Sequence, residues 1–163
     1  MANSSTTKKT PKLSLKKLAL EREPLKNAGP EREACKLCGR YRARLGATTF
    51  AMPRVPEDWS GKLLVVGEGS ESKQAKKLLR RTWRRAGYSD SDIAFVPAVR
   101  CGGGSEPQMD VIRACRPFLN QVIYKLKPKN ILGIGATAMR ALRNSGEKSV
   151  TRNRGKQIRI PGL

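Results

Sequence analysis

Residues 62–69 read KLLVVGEG, and this stretch decides how the rest of the chain is expected to fold. The four consecutive apolar residues 63–66 are typical of a short strand that is buried on both faces. A helix is predicted to follow the Gly-Glu-Gly turn, from Ser70 as its N-cap to about Ala86, with Gly87 as the stop. Its apolar face is predicted to contain Ala75, Leu78, Leu79 and Trp83.

The same alternation of strand and helix continues downstream. IAFVPAV (93–99) is a second strand, and Pro97 argues against a central position for it. Ser105 and Gln108 form a capping-box pattern for a helix that reaches about Leu126, which Pro117 should kink or divide. NILGIG (130–135) is a third strand, residues 136–144 a third helix, and KQIRI (156–160) a candidate fourth strand. The order predicts a three-layer α/β/α sandwich around a parallel sheet of about four strands.

The chain has two parts. Residues 1–33 form a basic N-terminal arm, since the first twenty contain five lysines and no acid, and we expect this arm to be flexible. Residues 34–163 are expected to form the α/β domain. A solvated tail that aids solubility and an arm that docks on a larger nucleoprotein complex are both open interpretations of residues 1–33.

The charge of the chain favours a polyanionic partner. With 34 Lys and Arg against 13 Asp and Glu, the formal net charge is +21 and the pI is near 10.6. Nucleic acid is the leading partner for such a surface. A membrane is less favoured, because no apolar run approaches the roughly 18 residues of a spanning helix. The first residues also lack the apolar core of a secretory signal, so we expect a reducing, cytoplasmic location.

Four cysteines, Cys35, Cys38, Cys101 and Cys115, stand in a chain without histidine. In a reducing compartment such a set argues for metal rather than for disulfides. All-thiolate ligation suits either tetrahedral zinc or a [4Fe–4S] cluster. The second pair is separated by thirteen residues across a loop and a helix, which favours the larger cluster over zinc. Unliganded or redox-active thiols remain a further alternative.

Two segments are predicted to contact phosphates. The helix after the first strand should place a run of cations on its outward arc: Lys73, Lys76, Lys77, Arg80, Arg81, Arg84 and Arg85. The loop Gly102, Gly103, Gly104 and Ser105 offers backbone N–H groups at a helix start, which is a suitable cradle for an anion. A solvated charged face and a structural turn are the respective alternatives.

Several motifs in order resemble one family. EACKLCGRYRAR (33–44), LLVVGEG (63–69) and VRCGGGSEPQMDVIRACRPFL (99–119) are similar to segments of the iron–sulfur branch of the uracil-DNA glycosylase superfamily, the family 4-like proteins. KPKNILGIGATAMRAL (127–142) and the Arg154-Gly155 pair resemble the segments that follow. The resemblance covers about residues 33–163, and the cysteine segment is its most specific part.

The resemblance implies a DNA-binding α/β/α protein whose four cysteines hold a structural [4Fe–4S] cluster. In this family a base is flipped out of the duplex and its N-glycosidic bond is hydrolysed during DNA repair. Glu68, in the Gly-Glu turn, is the residue that would orient the attacking water. The alternative for Glu68 is a carboxylate that only satisfies donors at a helix N-terminus.

Three departures fall on the active-site motifs of the family. The aromatic segment after the Gly-Glu turn is missing, Pro97 stands where the family has an asparagine, and the 163 residues contain no histidine for the last motif. We therefore expect a DNA-binding [4Fe–4S] protein in which base excision is weak or lost. If it is active, it is a DNA N-glycosylase of the uracil-DNA glycosylase type, using Glu68 on uracil or on another lesion. A zinc-stabilised nucleic-acid-binding or assembly module without catalysis is the third interpretation.

Overall fold

The computed structural model describes residues 38, 53–68, 72–101, 106–146, 149–157, 159 and 160. Three strands and four α-helices follow one another in these residues. In chain order they are β1 (Leu63–Gly67), α1 (Lys73–Arg85), β2 (Ile93–Pro97), α2 (Met109–Leu126), β3 (Asn130–Gly133), α3 (Ala136–Arg143) and α4 (Val150–Asn153). A 3₁₀ turn, Asp90–Asp92, comes directly before β2.

The sheet is parallel, and its strand order is β2-β1-β3. Leu63 is the register partner of Ile93 on one side and of Asn130 on the other. All five residues of β1 are buried, as the apolar run predicts for a central strand. The order also puts Pro97 on an edge strand, where a missing backbone N–H is tolerated.

Helices cover the two faces of this sheet in different ways. Leu64, Val66, Ala94 and Val96 share one face and belong to a core to which α2 and α3 contribute many apolar side chains: Val111, Ile112, Leu119, Val122, Ile123, Ala138, Ala141 and Leu142. On the other face, Ile93 and Phe95 border a cleft whose far side is α1. The fold is therefore mixed α/β with helices on both faces, which confirms the predicted class.

Helix α1 differs from its prediction in two details. It begins at Lys73, and its N-cap is Ser72 rather than Ser70, because the Ser72 hydroxyl accepts a hydrogen bond of 3.1 Å from the amide of Ala75. Leu78 does not share the apolar face, since it is 65% exposed. It lies one residue before Leu79, which rotates it about 100° around the helix axis.

Pro117 does not divide α2. The helix runs unbroken from Met109 to Leu126 with Pro117 inside it. Cys115 and Leu119, on either side of the proline, are both buried in the same core, and this packing holds the helix together across the lost hydrogen bond. The N-cap is Gln108, without a side-chain hydrogen bond, and Ser105 lies outside the described residues.

The fourth strand is not found in the described part of residues 156–160. Lys156, Gln157, Arg159 and Ile160 have no strand conformation. Lys156 instead donates its backbone N–H to the carbonyl of Asn153 at 3.2 Å, which closes a turn after α4. Ile160 packs against the core without joining the sheet. The predicted arm, residues 1–33, lies outside the described residues and stays a prediction.

Asp92 ties the amino ends of β1 and β2 together. Its Oδ1 forms an ion pair of 2.8 Å with Lys62 Nζ and accepts a 2.7 Å hydrogen bond from Ser60. Its Oδ2 accepts from the backbone N–H of Ser89 at 2.9 Å, and its carbonyl accepts from Trp59 Nε1 at 3.1 Å. The hydrogen bond from Lys62, followed by those from Ser89 and Ser60, holds the pKa of this carboxyl far below its usual range.

We expect Asp92→Asn to lower the Tm at pH 7, because the substitution removes the charge that Lys62 pairs with. The pKa of Asp92 is lower in the folded than in the unfolded protein. The ionised carboxylate therefore stabilises the fold fully above the unfolded-state pKa of about 4, and this stabilisation is lost as the pH falls below about 4. The difference in Tm between the unmodified protein and the variant should therefore become smaller between about pH 4 and pH 2 in thermal scans. Asp58→Asn, at an exposed carboxylate, is the control. A difference in Tm that becomes larger as the pH is lowered would contradict this role of Asp92.

Candidate nucleic-acid interface

Seven cations lie along one side of α1, and we call them the basic face. They surround a surface recess of about 770 Å³: Lys73, Lys76, Lys77, Arg80, Arg81, Arg84 and Arg85. Their spacing of three and four residues makes them neighbours on the helix surface. The structure thus brings the predicted phosphate-binding cations of this helix together, and their role stays a prediction.

The composition of α1 favours a helix, but its charge opposes one. Lys and Arg are good helix formers, Ser72 caps the first turn, and Arg84 and Arg85 suit the negative end of the helix dipole. Five like-charge pairs stand four residues apart, at 73–77, 76–80, 77–81, 80–84 and 81–85. At about 0.2–0.5 kcal/mol each, they destabilise the helix by about 1–2.5 kcal/mol. A polyanion on the basic face would relieve this repulsion.

Acidic residues neutralise little of the basic face. Helix α1 itself contains no acid. Among the described residues, only Arg84 of the seven has a carboxylate partner, at 2.8 Å from Asp90. The side chains of Arg84 and Asp90 are 65% and 56% exposed, and such a surface pair contributes little. The other six cations have no carboxylate partner within the part of the chain that the structure describes.

Glu68 lies at the carboxyl edge of the sheet, directly after β1. Its Oε1 accepts a hydrogen bond of 3.0 Å from the hydroxyl of Thr137, in the first turn of α3. Gly135 precedes that helix with φ +87°, and a Cβ on it would stand 3.6 Å from Oε1 of Glu68. The first turn of α3 has no acid of its own, so the carboxylate complements the helix dipole there. Glu68 is nevertheless exposed, and its carboxylate remains accessible to solvent.

Pro97 lies beside the end of β1 in the sheet. It is the register partner of Gly67, the residue before Glu68, and it is buried. The pyrrolidine ring has no hydrogen-bonding group. The position beside the Gly-Glu turn therefore offers no side-chain donor or acceptor for reading a base.

The turn between β3 and α3 is explained by close packing. A Cβ on Gly133 would come within 3.1 Å of Leu142 Cδ1, a tight contact that glycine avoids where the strand and the helix approach each other. A phosphate-binding role is not needed to account for Gly133. The predicted phosphate loop, Gly102, Gly103, Gly104 and Ser105, lies outside the described residues.

Three of the four cysteines belong to the described residues. Cys101 follows β2 and Cys115 lies in α2, and each is 6% exposed. Cys38 is half-buried and packs against the core cluster that contains Cys115. These three form no disulfide. Among the residues that the structure describes, no three Cys, Asp or Glu side chains form a group that could hold a metal ion. Cys35 lies outside the described residues, so the four-thiolate site stays a prediction.

Sequence reasoning missed Arg140, which is 2% exposed in α3. Its NH1 pairs with Glu106 at 2.8 Å and donates to the carbonyl of Pro107 at 3.2 Å, while its Nε lies 3.3 Å from the sulfur of Met109. The guanidinium thus holds the residues that lead into α2. Nothing in the sequence distinguishes this arginine from the other Lys and Arg.

Neither of two comparisons with known proteins identifies a relative of this chain. No protein-family model matches the chain, and no curated protein matches it either. The likeness to the uracil-DNA glycosylase superfamily therefore rests on the sequence motifs. Within the part of the chain that the structure describes, no helix is long and apolar enough to cross a membrane.

Proposed function

We propose that the protein binds DNA through phosphate contacts from the basic face of α1. One observation carries the proposal: seven cations occupy one side of a single helix, and six of them have no carboxylate partner among the described residues. Phosphates are the anions that such a spaced array fits best, because they too repeat along a line. Contacts of this kind give affinity and position without choosing a sequence.

The amount of phosphate contact is measurable from the salt dependence of binding. If about six phosphates are neutralised, a plot of log Kobs against log salt for a DNA duplex should have a slope of about −5. Lys77→Ala with Arg81→Ala removes two central cations of the basic face. We expect the double variant to lower the affinity and to make the slope less steep by about 2.

The matched control is Arg113→Ala with Lys125→Ala. Both residues are exposed on α2, which packs on the opposite face of the sheet, and the net charge changes by the same amount. This control should retain the slope of the unmodified protein. Equal effects of the two double variants would mean that net charge alone, and not the basic face, governs binding.

We further propose that Cys35, Cys38, Cys101 and Cys115 hold a [4Fe–4S] cluster. The chemistry of the donor set supports it, since soft thiolates without histidine suit iron–sulfur clusters or zinc. The burial of Cys101 and Cys115 and the packing of Cys38 on the same core are compatible with a shared structural role. A bound cluster would tie the N-terminal segment to the connection between β2 and α2.

Metal and acid-labile sulfide determination on anaerobically purified protein tests the cluster. We expect about four iron and about four sulfide per chain, with a broad visible absorbance band. Cys38→Ser, at a half-buried position, should lower both contents together, whereas Ser145→Ala should leave both unchanged. Stoichiometric zinc without sulfide would support the zinc-stabilised module instead.

Base excision is the second candidate function, because Glu68 is exposed and is held in place by Thr137. Two considerations argue that this activity is weak or lost. Pro97 supplies no group that matches the edge of a uracil, and a site without such groups discriminates poorly. A missing donor for the departing base costs about 10²–10³-fold in rate.

We therefore expect the protein to release no more uracil from uracil-containing DNA than its Glu68→Gln variant does. A single-turnover assay with excess protein would detect even slow cleavage. Thr137→Val, which removes only the hydroxyl that contacts Glu68, is the second comparison. If the unmodified protein releases uracil, and if Glu68→Gln abolishes this release and Thr137→Val reduces it, the protein is an active DNA N-glycosylase.

The cellular setting belongs to the same proposal. Cysteines that serve as metal ligands suit a reducing compartment, and we place the protein in the cytoplasm on that ground. The basic N-terminal arm, residues 1–33, would extend its contacts to a larger nucleoprotein complex.

A further inference from the structure

A cleft of about 680 Å³ lies between α1 and β2, away from Glu68. Its apolar lining comes from three segments: Leu79 and Trp83 of α1, Ile93 and Phe95 of β2, and Val55 and Pro56 of the preceding turn. The volume falls in the range of about 300–1,000 Å³ that is usual for ligand sites. Trp83 and Phe95 are both half-buried, so part of each ring remains accessible.

The turn that forms one wall of this cleft is fixed to the sheet. Arg54 and Phe95 exchange two backbone hydrogen bonds, of 2.7 and 2.8 Å, across the outer edge of β2. Ser60 donates its backbone N–H to the carbonyl of Ser91 at 3.0 Å, which holds the other end of the turn. On the helix side, the ion pair between Arg84 and Asp90 links the end of α1 to the 3₁₀ turn. The wall formed by residues 54–60 is therefore held by backbone hydrogen bonds, whereas α1 is linked to the 3₁₀ turn by an exposed ion pair.

The cleft and the basic face share two residues, Lys76 and Arg80, which border both. A chain whose phosphates lie on the basic face is thus within reach of the cleft. The lining combines aromatic rings and cations, which suits a flat aromatic group carried on an anionic chain. It also contains the carboxylates of Asp58 and Asp90, which accept hydrogen bonds from nucleobase amino groups.

We propose that this cleft accepts an unpaired base of a DNA strand whose phosphates lie on the basic face. The proposal rests on the DNA binding proposed above and adds the form of DNA that is preferred: a duplex with a bulged base or a junction, rather than a fully paired duplex. Trp83 and Phe95 supply the stacking surface, and Lys76 and Arg80 hold the phosphates on either side of the base. Stacking of one base on an aromatic side chain strengthens binding by about 5- to 150-fold.

Two duplexes that differ by a single bulged nucleotide test the proposal by fluorescence titration of the full chain. The chain has two tryptophans, and the other one, Trp59, is buried with its Nε1 hydrogen-bonded to Asp92. We expect the bulged duplex to bind at least about 5-fold more tightly and to quench Trp83. A third duplex, with an abasic bulge, should bind like the fully paired one.

Trp83→Leu should abolish both the quenching and the preference while leaving the affinity for the paired duplex unchanged. Leu78→Ala, an apolar truncation on the same helix but outside the cleft, should preserve both the quenching and the preference.

Equal binding of the paired and bulged duplexes without quenching would overturn the cleft proposal and leave DNA binding intact. Failure to bind either duplex would overturn both proposals. Quenching by poly-glutamate as strong as that by the bulged duplex would assign the cleft to an acidic peptide instead.

Discussion

The structure depends on the burial of β1, the central strand. All of its residues are buried, and Leu64, Val65 and Val66 have no exposed surface, so both faces of the sheet must be covered. Helices α2 and α3 cover one face with apolar side chains packed at close range. Helix α1 borders the other face but has no buried residue. This difference between the two faces leaves an apolar cleft under α1 and directs its cations outward.

The charges of the chain divide in the same way. Two of the buried charges are paired: Asp92 with Lys62 at the amino ends of the strands, and Arg140 with Glu106 at the start of α2. Such pairs fix geometry, because a buried charge without its partner is strongly destabilising. Among the described residues the cations of α1 have no buried carboxylate partner, and they are exposed or half-exposed. The buried pairs therefore serve the fold, and the exposed cations are available to an external polyanion.

Local patterns in the sequence predicted the elements that depend on neighbouring residues. The apolar run at 63–66 predicted β1, and the spacing of the cations predicted the outward side of α1. Pro97 indicated that β2 is an edge strand. Errors arose where tertiary packing decides: Pro117 stays inside α2 because residues on both sides of it are buried, and the described residues of the segment 156–160 form no strand. The contact between Glu68 and Thr137 joins residues 69 positions apart, and no local pattern encodes it. The Ser89-x-x-Asp92 spacing was a usable signal for the carboxylate that ties β1 to β2.

Hydrogen–deuterium exchange of the full chain, with and without a DNA duplex, tests most directly whether α1 is the face that binds DNA. The account predicts slower exchange on DNA addition in residues 73–85 and in the bordering residues 54–58 and 93–95, with residues 109–126 of α2 unchanged. Protection confined to α2 and α3, with α1 unaffected, would contradict it.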